Sequence, residues 1–161
     1  MELLAPAGNI ENYYAAVEAG ADAVYIGAPG INARNLSRDL RLEEIAAIIE
    51  HAHGLGKKVY LAANSLLLER DLTSLIHSLS LFEQLQPDAL IVQDLGLIRV
   101  VQRYFPRLEL HASTLMGAHN SECVRLFKDM GCNRVVVARE LTLKEIAEIR
   151  EKVDVELEVF V

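Results

Sequence analysis

The sequence predicts an α/β fold, a (β/α)8 TIM-barrel-like domain truncated to about seven strands and six helices. Short apolar runs alternate with amphipathic segments, as expected for a parallel sheet with crossover helices. The repeat is regular, at about 20 to 25 residues per strand and helix, which favours a barrel of successive neighbours. The glycine-rich phosphate loops of nucleotide-binding proteins are absent, which disfavours the alternative, a doubly wound open sheet.

The elements follow from apolar runs, caps and breakers. Strands are predicted at residues 2–4, 23–26, 58–63, 89–92, 108–112, 134–138 and 156–161. Helices are predicted at residues 10–19, 42–53, 72–85, 96–105 and 120–130, with a sixth after residue 142. Asn9 is the expected cap of the first helix, and Gly20 its stop. Thr142 and Glu145 form the pattern of a capping box, which predicts the start of the sixth helix.

The chain is shorter than the fold it predicts. An eight-fold barrel needs about 200 residues or more, and the sequence has 161. We therefore expect residues 1–161 to be the N-terminal part of an incomplete barrel, a fragment without the remaining strand and helices or any C-terminal domain. An incomplete barrel leaves two unpaired strand edges, which predicts an oligomer or marginal stability.

Composition and charge exclude several classes of protein. The net charge of −7 argues against a generally basic surface for nucleic acid, so RNA contact would come through the full-length protein. No signal peptide or membrane-spanning run is found, and two cysteines are too few for a disulfide framework. This cysteine usage predicts a reducing, cytoplasmic location. The lack of a long apolar run predicts no membrane partner.

Candidate site residues lie where predicted strands end, since barrel enzymes place their chemistry on the loops that follow the strands. The polar residues at these positions are Tyr25, Arg34, Asn64, Asp94, His111, Ser113, Arg139 and Glu140. Alternative interpretations exist: Tyr25 as a core-edge aromatic, Asn64 and Asp94 as helix caps, and Arg139 with Glu140 as a structural ion pair.

Asp94, His111 and Ser113 form the candidate catalytic set. His111 and Ser113 are two apart on one strand and share a face, and Asp94 ends the neighbouring strand. These are the residue types of nucleophilic hydrolysis. No nucleophile-elbow motif surrounds Ser113, so the competing interpretation is that these groups hydrogen-bond a small ligand at the barrel mouth.

The candidate ligand-binding set is Arg34, Asn64, Arg139 and Glu140. Arg139 and Glu140 are adjacent, so only one of them faces the barrel interior if the strand continues. An inward Arg139 would bind a carboxylate or phosphate through paired hydrogen bonds, and Arg34 on the longest loop would add a second contact. The ligand that these residues predict is a small carboxylate or a phosphate.

No metal site is predicted in this chain. The histidines lack ligand spacing, and Cys123 and Cys132 have the character of small buried hydrophobes. No cofactor is therefore expected within residues 1–161.

Several motifs resemble those of peptidase family U32, the collagenase-like protease family. They are Glu2-Leu3-Leu4-Ala5-Pro6-Ala7-Gly8, residues 20–27, Arg34, residues 56–60, Asn64, residues 87–92, Asp94, Gly96, His111-Ala112-Ser113-Thr114, Asn120, Ala138-Arg139-Glu140-Leu141 and residues 156–161. The resemblance covers essentially the whole chain. One departure is Leu115, which stands where the family usually has Gln after Ser113-Thr114.

The resemblance implies two kinds of activity. One is peptide hydrolysis, the interpretation we adopt first. The alternative is oxygen-independent hydroxylation of tRNA or rRNA bases or of a quinone ring, with prephenate implicated and a 4Fe-4S cluster held by four cysteines beyond Val161. A second alternative is a non-catalytic barrel subunit that assists a partner. By itself, this fragment is expected to be inactive.

Overall fold

The computed structural model describes residues 1–33 and 40–161. Its seven strands are β1 (Leu4–Pro6), β2 (Ala23–Gly27), β3 (Lys58–Ala63), β4 (Ala89–Val92), β5 (Leu110–Ala112), β6 (Cys132–Val136) and β7 (Glu156–Glu158). Its α-helices are α1 (Ile10–Glu18), α2 (Leu42–Gly54), α3 (Leu72–Leu85), α4 (Leu95–Tyr104), α5 (Ser121–Asp129) and α6 (Leu143–Lys152). Two 3-10 turns lie at Glu69–Asp71 and Thr114–Met116.

The strands form one parallel sheet in chain order, from β1 to β7. Every pairing joins successive strands, as in Tyr25 opposite Tyr60 and Arg134 opposite Glu156. The fold is thus an open (β/α) barrel of seven strands and six helices among the described residues, and the predicted fold class is confirmed.

The two faces of the sheet differ in character. One face packs against the helices and forms the main core, in which Leu61, Leu90, Leu75, Leu79 and Phe82 are buried. Each such side chain contributes about 1.5–3 kcal/mol through burial. The other face lines the lumen, where a small apolar cluster of Ala23, Tyr60, Ala89 and Ile91 is surrounded by polar groups.

Local signals explain where the helices begin. Asn9 accepts a hydrogen bond from the Asn12 amide at 2.7 Å, and Thr142 and Glu145 form the expected capping box. Asp94 caps α4, as one interpretation of that residue predicts. Asn64 caps no described helix; its Oδ1 instead accepts a hydrogen bond from the Ala33 amide at 3.0 Å and joins two loops.

Some strand limits differ from prediction. Pro6 belongs to β1, which an edge strand tolerates because the N–H that proline lacks is not needed for pairing. Predicted residues 108 and 109 lie outside β5, since the Leu108 amide donates to the Phe105 carbonyl in a turn. β7 ends at Glu158, before the predicted limit at residue 161. β6 ends at Val136, before the predicted limit at residue 138, and beyond it the Ala138 amide donates a hydrogen bond to the Ala118 carbonyl.

Candidate functional site

A cavity of about 390 Å³ opens at the carboxyl ends of the strands, and we call it the mouth cavity. Its polar lining comprises Tyr25, Asn32, Asn64, Ser113, Thr114, Arg139 and Glu158. Apolar walls are supplied by residues that include Ala62, Ile91, Val136 and Phe160. A mostly apolar cavity with a few convergent polar groups is the usual form of a small-molecule site.

One wall of the cavity is made by the loop after β2. Asn32 is buried, and its amide group donates a hydrogen bond to the Ala28 carbonyl at 3.0 Å. A Cβ atom on Gly27 would lie 3.1 Å from the Asn32 side chain, so a larger residue would push this wall out of place. Asn32 was not among the predicted site residues. Its position in a strand-end loop, two residues after Gly30, could have indicated that it lines the site.

Ser113 and Thr114 form the wall that follows β5. The Ser113 hydroxyl is buried and accepts a hydrogen bond from the Leu115 amide at 3.2 Å, which starts the 3-10 turn. The Thr114 hydroxyl donates to the Val137 carbonyl at 3.5 Å. Leu115 is half exposed at the rim of the cavity, where it presents an apolar group to an entering ligand.

Arg139 is the cation of the mouth cavity. Its guanidinium lies over the Phe160 ring, 4.3 Å from the centroid. Within residues 1–33 and 40–161, no carboxylate forms a salt bridge with it. Stacking fixes the plane of a guanidinium while its N–H groups remain available to an anion.

Glu140 points elsewhere. Its carboxylate is exposed and lies 3.7 Å from His119 Nε2, and it does not line the mouth cavity. β6 ends at Val136, so the strand alternation assumed for these two residues does not apply; of the two, Arg139 lines the cavity and Glu140 does not. Arg34, the other predicted cation, lies outside the described residues.

Glu158 is a cavity residue that the sequence analysis missed. Its Oε2 is buried, has no hydrogen-bond partner within residues 1–33 and 40–161, and lies 3.5 Å from Arg134 Nη1, within ion-pair distance. Burial raises the pKa of this carboxyl, and Arg134 partly opposes the shift. The alternation of Glu156, Glu158 and Phe160 was the available signal, because residues two apart on a strand share a face.

The predicted catalytic set is spread over three environments. Asp94 uses both carboxylate oxygens on backbone amides, those of Leu97 at 2.8 Å and Leu67 at 3.2 Å. His111 is buried deeper in the lumen, with its ring 4.8 Å from that of Tyr60. Ser113 lines the mouth cavity. Across the described part of the chain, no hydrogen bond joins any two of these three side chains.

The electrostatics of His111 also bear on a catalytic role. Burial, helped by the positive charge of Arg134, lowers the pKa of His111 to about 3. An imidazole with so low a pKa is neutral at physiological pH and is a weak general base. The catalytic role of Asp94, His111 and Ser113 stays a prediction, and the geometry gives it no support.

Below the mouth cavity lies a second polar cluster, the lumen network, which consists of Glu2, Lys58, Tyr60, Arg134 and Glu156. Arg134 donates to Glu2 Oε1 at 2.7 Å and to Glu156 Oε2 at 2.7 Å. Tyr60 also donates to Glu2 at 2.7 Å, and Lys58 Nζ lies 3.1 Å from Glu2 Oε2. Burial alone would raise the pKa of Glu2, but the hydrogen bonds from Arg134, Tyr60 and Lys58 lower it to about 2.

The described residues do not fit an iron–sulfur cluster. Among them, no group of three or more His, Cys, Asp or Glu side chains could hold a metal ion. Cys132 is buried, and burial raises the pKa of its thiol to about 11, which opposes the thiolate that a cluster needs. Nor is any helix within the described ranges long and apolar enough to cross a membrane.

Comparisons with known proteins identify the chain's relatives. The chain is 42% identical over 161 residues to tRNA hydroxylation protein P of Haemophilus influenzae, covering 99% of this chain and 35% of that protein. It is 41% identical to tRNA hydroxylation protein P of Escherichia coli, covering 99% and 36%. A collagenase of Porphyromonas gingivalis is 30% identical over 94% of this chain and 36% of its own length. The chain thus spans just over a third of each relative's length.

A solved structure and a family model agree with these matches. The structure of the U32 peptidase Mk0906 superposes with a TM-score of 0.82 at 20% identity, covering 99% of this chain and 68% of that one. At that identity the superposition shows the fold. The model of Peptidase family U32 matches residues 8–161. This chain belongs to Peptidase family U32.

Proposed function

We propose that this chain is the barrel portion of a tRNA hydroxylation protein, and that its mouth cavity binds a small carboxylate co-substrate. The observation that carries the proposal is Arg139, a cation at the cavity wall that pairs with none of the described carboxylates. The names of the two relatives above 40% identity support the hydroxylation part of the proposal.

The cavity suits such a ligand chemically. A carboxylate would accept two parallel hydrogen bonds from the Arg139 guanidinium. The Asn64 amide and the Thr114 hydroxyl add polar contacts on other walls, and Phe160 and Ile91 supply apolar surface for a carbon skeleton. A cyclic carboxylate such as prephenate, which the family resemblance implies, has this combination of charge and apolar surface.

Peptide hydrolysis is the alternative, and the collagenase relative favours it. It is less well supported, because that relative is less similar than the two tRNA hydroxylation proteins. It would also need a nucleophile activated by a base, and the neutral, weakly basic His111 makes no hydrogen bond to Ser113 among the described contacts.

Three further parts of the proposal concern the whole protein. A 4Fe-4S cluster would require cysteines outside residues 1–161, since the two present here do not fit one. RNA would be bound mainly by other parts of the protein, because this portion has a net charge of −7. A protein that modifies tRNA would work in the cytoplasm, as the sequence analysis expects.

The test is the nucleoside content of tRNA in the source organism after deletion of the gene. We expect a hydroxylated nucleoside to disappear from the mass spectrum of digested tRNA and to return when the complete wild-type protein is restored. Arg139→Ala should fail to restore it. The control Arg150→Ala changes an exposed arginine on α6 that does not line the cavity, and should restore it fully.

The opposite results would contradict the proposal. If tRNA from the deletion strain keeps all its hydroxylated nucleosides, the tRNA assignment fails. If Arg139→Ala restores hydroxylation as well as the wild type does, the carboxylate site fails. The iron and acid-labile sulfide content of the complete protein, purified without oxygen, tests the cluster separately; about four irons per chain would support it.

A further inference from the structure

Glu158 and Arg139 present opposite charges to the same cavity. Arg139 attracts an anion, whereas an ionised Glu158 would repel it. Both residues line the cavity, so an anionic ligand that fills it meets the two groups together. One of the two groups must change its protonation state for an anion to bind well.

The surroundings of Glu158 show which group changes. Its Oε2 is enclosed and has no hydrogen-bond partner in the part of the chain that the structure describes, and a buried carboxylate oxygen without one is costly. Arg134 is the nearest cation, at 3.5 Å, but its hydrogen bonds go to Glu2 and Glu156, both at 2.7 Å. Of the three carboxylates that Arg134 contacts, Glu158 therefore has the weakest interaction with this cation.

Among the described residues, the other ionisable groups around the lumen do not supply a counter-charge for Glu158. Glu2, two residues before β1, is ionised and repels it, which raises the pKa of Glu158 further after burial. His111 on β5 is neutral because its pKa is lowered to about 3. Tyr60 on β3 is neutral because burial and its hydrogen bond to Glu2 raise its pKa. Lys58 on β3 pairs with Glu2.

We infer that Glu158 contacts the anionic ligand of the mouth cavity as a neutral acid, taking up a proton when the ligand binds and donating a hydrogen bond to it. The step is a simple proton transfer. A hydronium ion or a buffer acid gives up a proton, so its own bond to hydrogen breaks as an O–H bond forms on one Glu158 oxygen, and the charge on that carboxyl is neutralised. The inference rests on the proposed function, since it assumes an anionic ligand beside Arg139.

The consequence is a coupling between affinity and pH. An anion that requires a protonated Glu158 binds about tenfold more weakly for each pH unit above the pKa of that carboxyl in the free protein. A neutral acid also discriminates among ligands, because it donates a hydrogen bond that a carboxylate oxygen accepts and a cationic group cannot.

The experiment is calorimetric titration of the complete protein with malate, a dicarboxylate that is fully ionised at neutral pH. Titrations in buffers of different ionisation enthalpy give the number of protons taken up with each ligand. We expect an uptake approaching one proton in the wild type, and an affinity that falls as pH rises. Glu158→Gln should bind malate with no proton uptake and with an affinity independent of pH.

A matched control lies on the same strand. Glu156→Gln alters a more exposed carboxylate that pairs with Arg134 and does not line the cavity, so proton uptake should persist. If Glu158→Gln does not fold, the wild-type titration still decides, as does a carboxyl 13C shift that reports protonation of Glu158 on malate binding.

Three results would overturn the inference: no proton uptake in the wild type, unchanged uptake in Glu158→Gln, or no malate binding by a folded protein. The first two leave the proposed function intact, since Arg139 would still hold the anion. Failure of the proposed function appears elsewhere, in unchanged tRNA nucleosides after gene deletion.

Discussion

The lumen network and the mouth cavity are both polar, but they differ in how their charges are paired. In the lumen network, Glu2 receives contacts from Arg134, Tyr60 and Lys58, and Arg134 also contacts Glu156. In the mouth cavity, Arg139 is stacked on Phe160 without a described counter-ion, and Glu158 has an oxygen without a described hydrogen-bond partner. The charges of the first region are paired with one another, and those of the second are less fully paired.

This difference shows that polarity alone does not identify a site in a barrel. The cluster with the most charges lies toward the amino ends of the strands, where barrels place stabilising residues. The cluster with fewer charges lies at the carboxyl ends, where barrels place their chemistry. The useful distinction is whether a buried polar group already has a partner.

The largest effect is expected from Arg134→Met in the lumen network. The variant keeps a long side chain but leaves Glu2, Glu156 and Glu158 without their shared cation. Loss of one member of a buried ion network costs about 3–5 kcal/mol. Urea unfolding followed by circular dichroism measures this loss. Arg125→Met, which changes an exposed arginine on α5, should cost less than about 1 kcal/mol, and an equal loss in both variants would contradict the assignment.

The pH dependence of the unfolding free energy should distinguish the contribution of His111 from those of the carboxylates. Because burial lowers the pKa of His111 from 6.5 to about 3, its neutral form stabilises the fold above pH 6.5, and this stability is lost as pH falls. Glu2, whose pKa is lowered from 4.5 to about 2, contributes only to the loss below pH 4.5. Glu158 has the opposite effect on stability. Because its pKa is raised in the folded protein, its protonation at lower pH makes the fold more stable.

Between pH 6.5 and 4.5, we therefore expect His111 to account for a loss of about 2 kcal/mol in unfolding free energy. His111→Gln should abolish most of that dependence, as measured by urea unfolding at both pH values. The exposed His77 on α3 provides the control His77→Gln, which should behave as the wild type does. An unaltered pH dependence in His111→Gln would contradict a buried neutral imidazole.

In the mouth cavity, Arg139→Ala should affect binding and spare stability. Removal of a charge-assisted hydrogen bond to a carboxylate is expected to weaken malate binding about tenfold or more. The unfolding free energy should change by less than about 0.5 kcal/mol, because the residue is exposed and has no described ion pair. The malate affinity of Arg139→Lys should lie between those of the wild type and Arg139→Ala, since lysine keeps the charge and loses the paired hydrogen bonds. Unchanged affinity in calorimetry would remove Arg139 from the site.

The smallest effect is expected from Ser113→Ala. The variant removes the hydroxyl that accepts from the Leu115 amide, a capping contact that contributes about 0.5–1 kcal/mol. Restoration of tRNA hydroxylation should be nearly complete. If the purified protein instead cleaves peptides and Ser113→Ala abolishes that cleavage, the peptidase alternative is correct.

The fold was predictable because its signals are local. The limits of β3, β4 and α3 agree with the predicted ranges 58–63, 89–92 and 72–85, since Gly56, Pro87 and the apolar runs between them mark where these elements begin and end. The 3-10 turn at Glu69–Asp71 was not predicted, because its polar sequence resembles an ordinary loop.

The site was less predictable because it depends on contacts between distant residues. Arg139 and Asn64 were found from the rule that strand ends carry chemistry, and both line the cavity. Asp94 satisfies the same rule and serves as a helix cap, so the rule does not separate caps from ligands. Glu158 was missed because the alternation around it shows a shared strand face but does not show that this face meets Arg134 and Glu2, which create its environment.

The hydrogen bond between Arg134 and Glu2 joins residues 132 positions apart. Closing so long a segment costs chain entropy that must be overcome before the contact can form. Glu2, just before β1, reaches Arg134 on β6 only after the intervening strands are in place, so this bond is expected to form late in folding. It makes the position of residue 2 depend on the sixth strand, and couples the loss of either strand to disorder in the other.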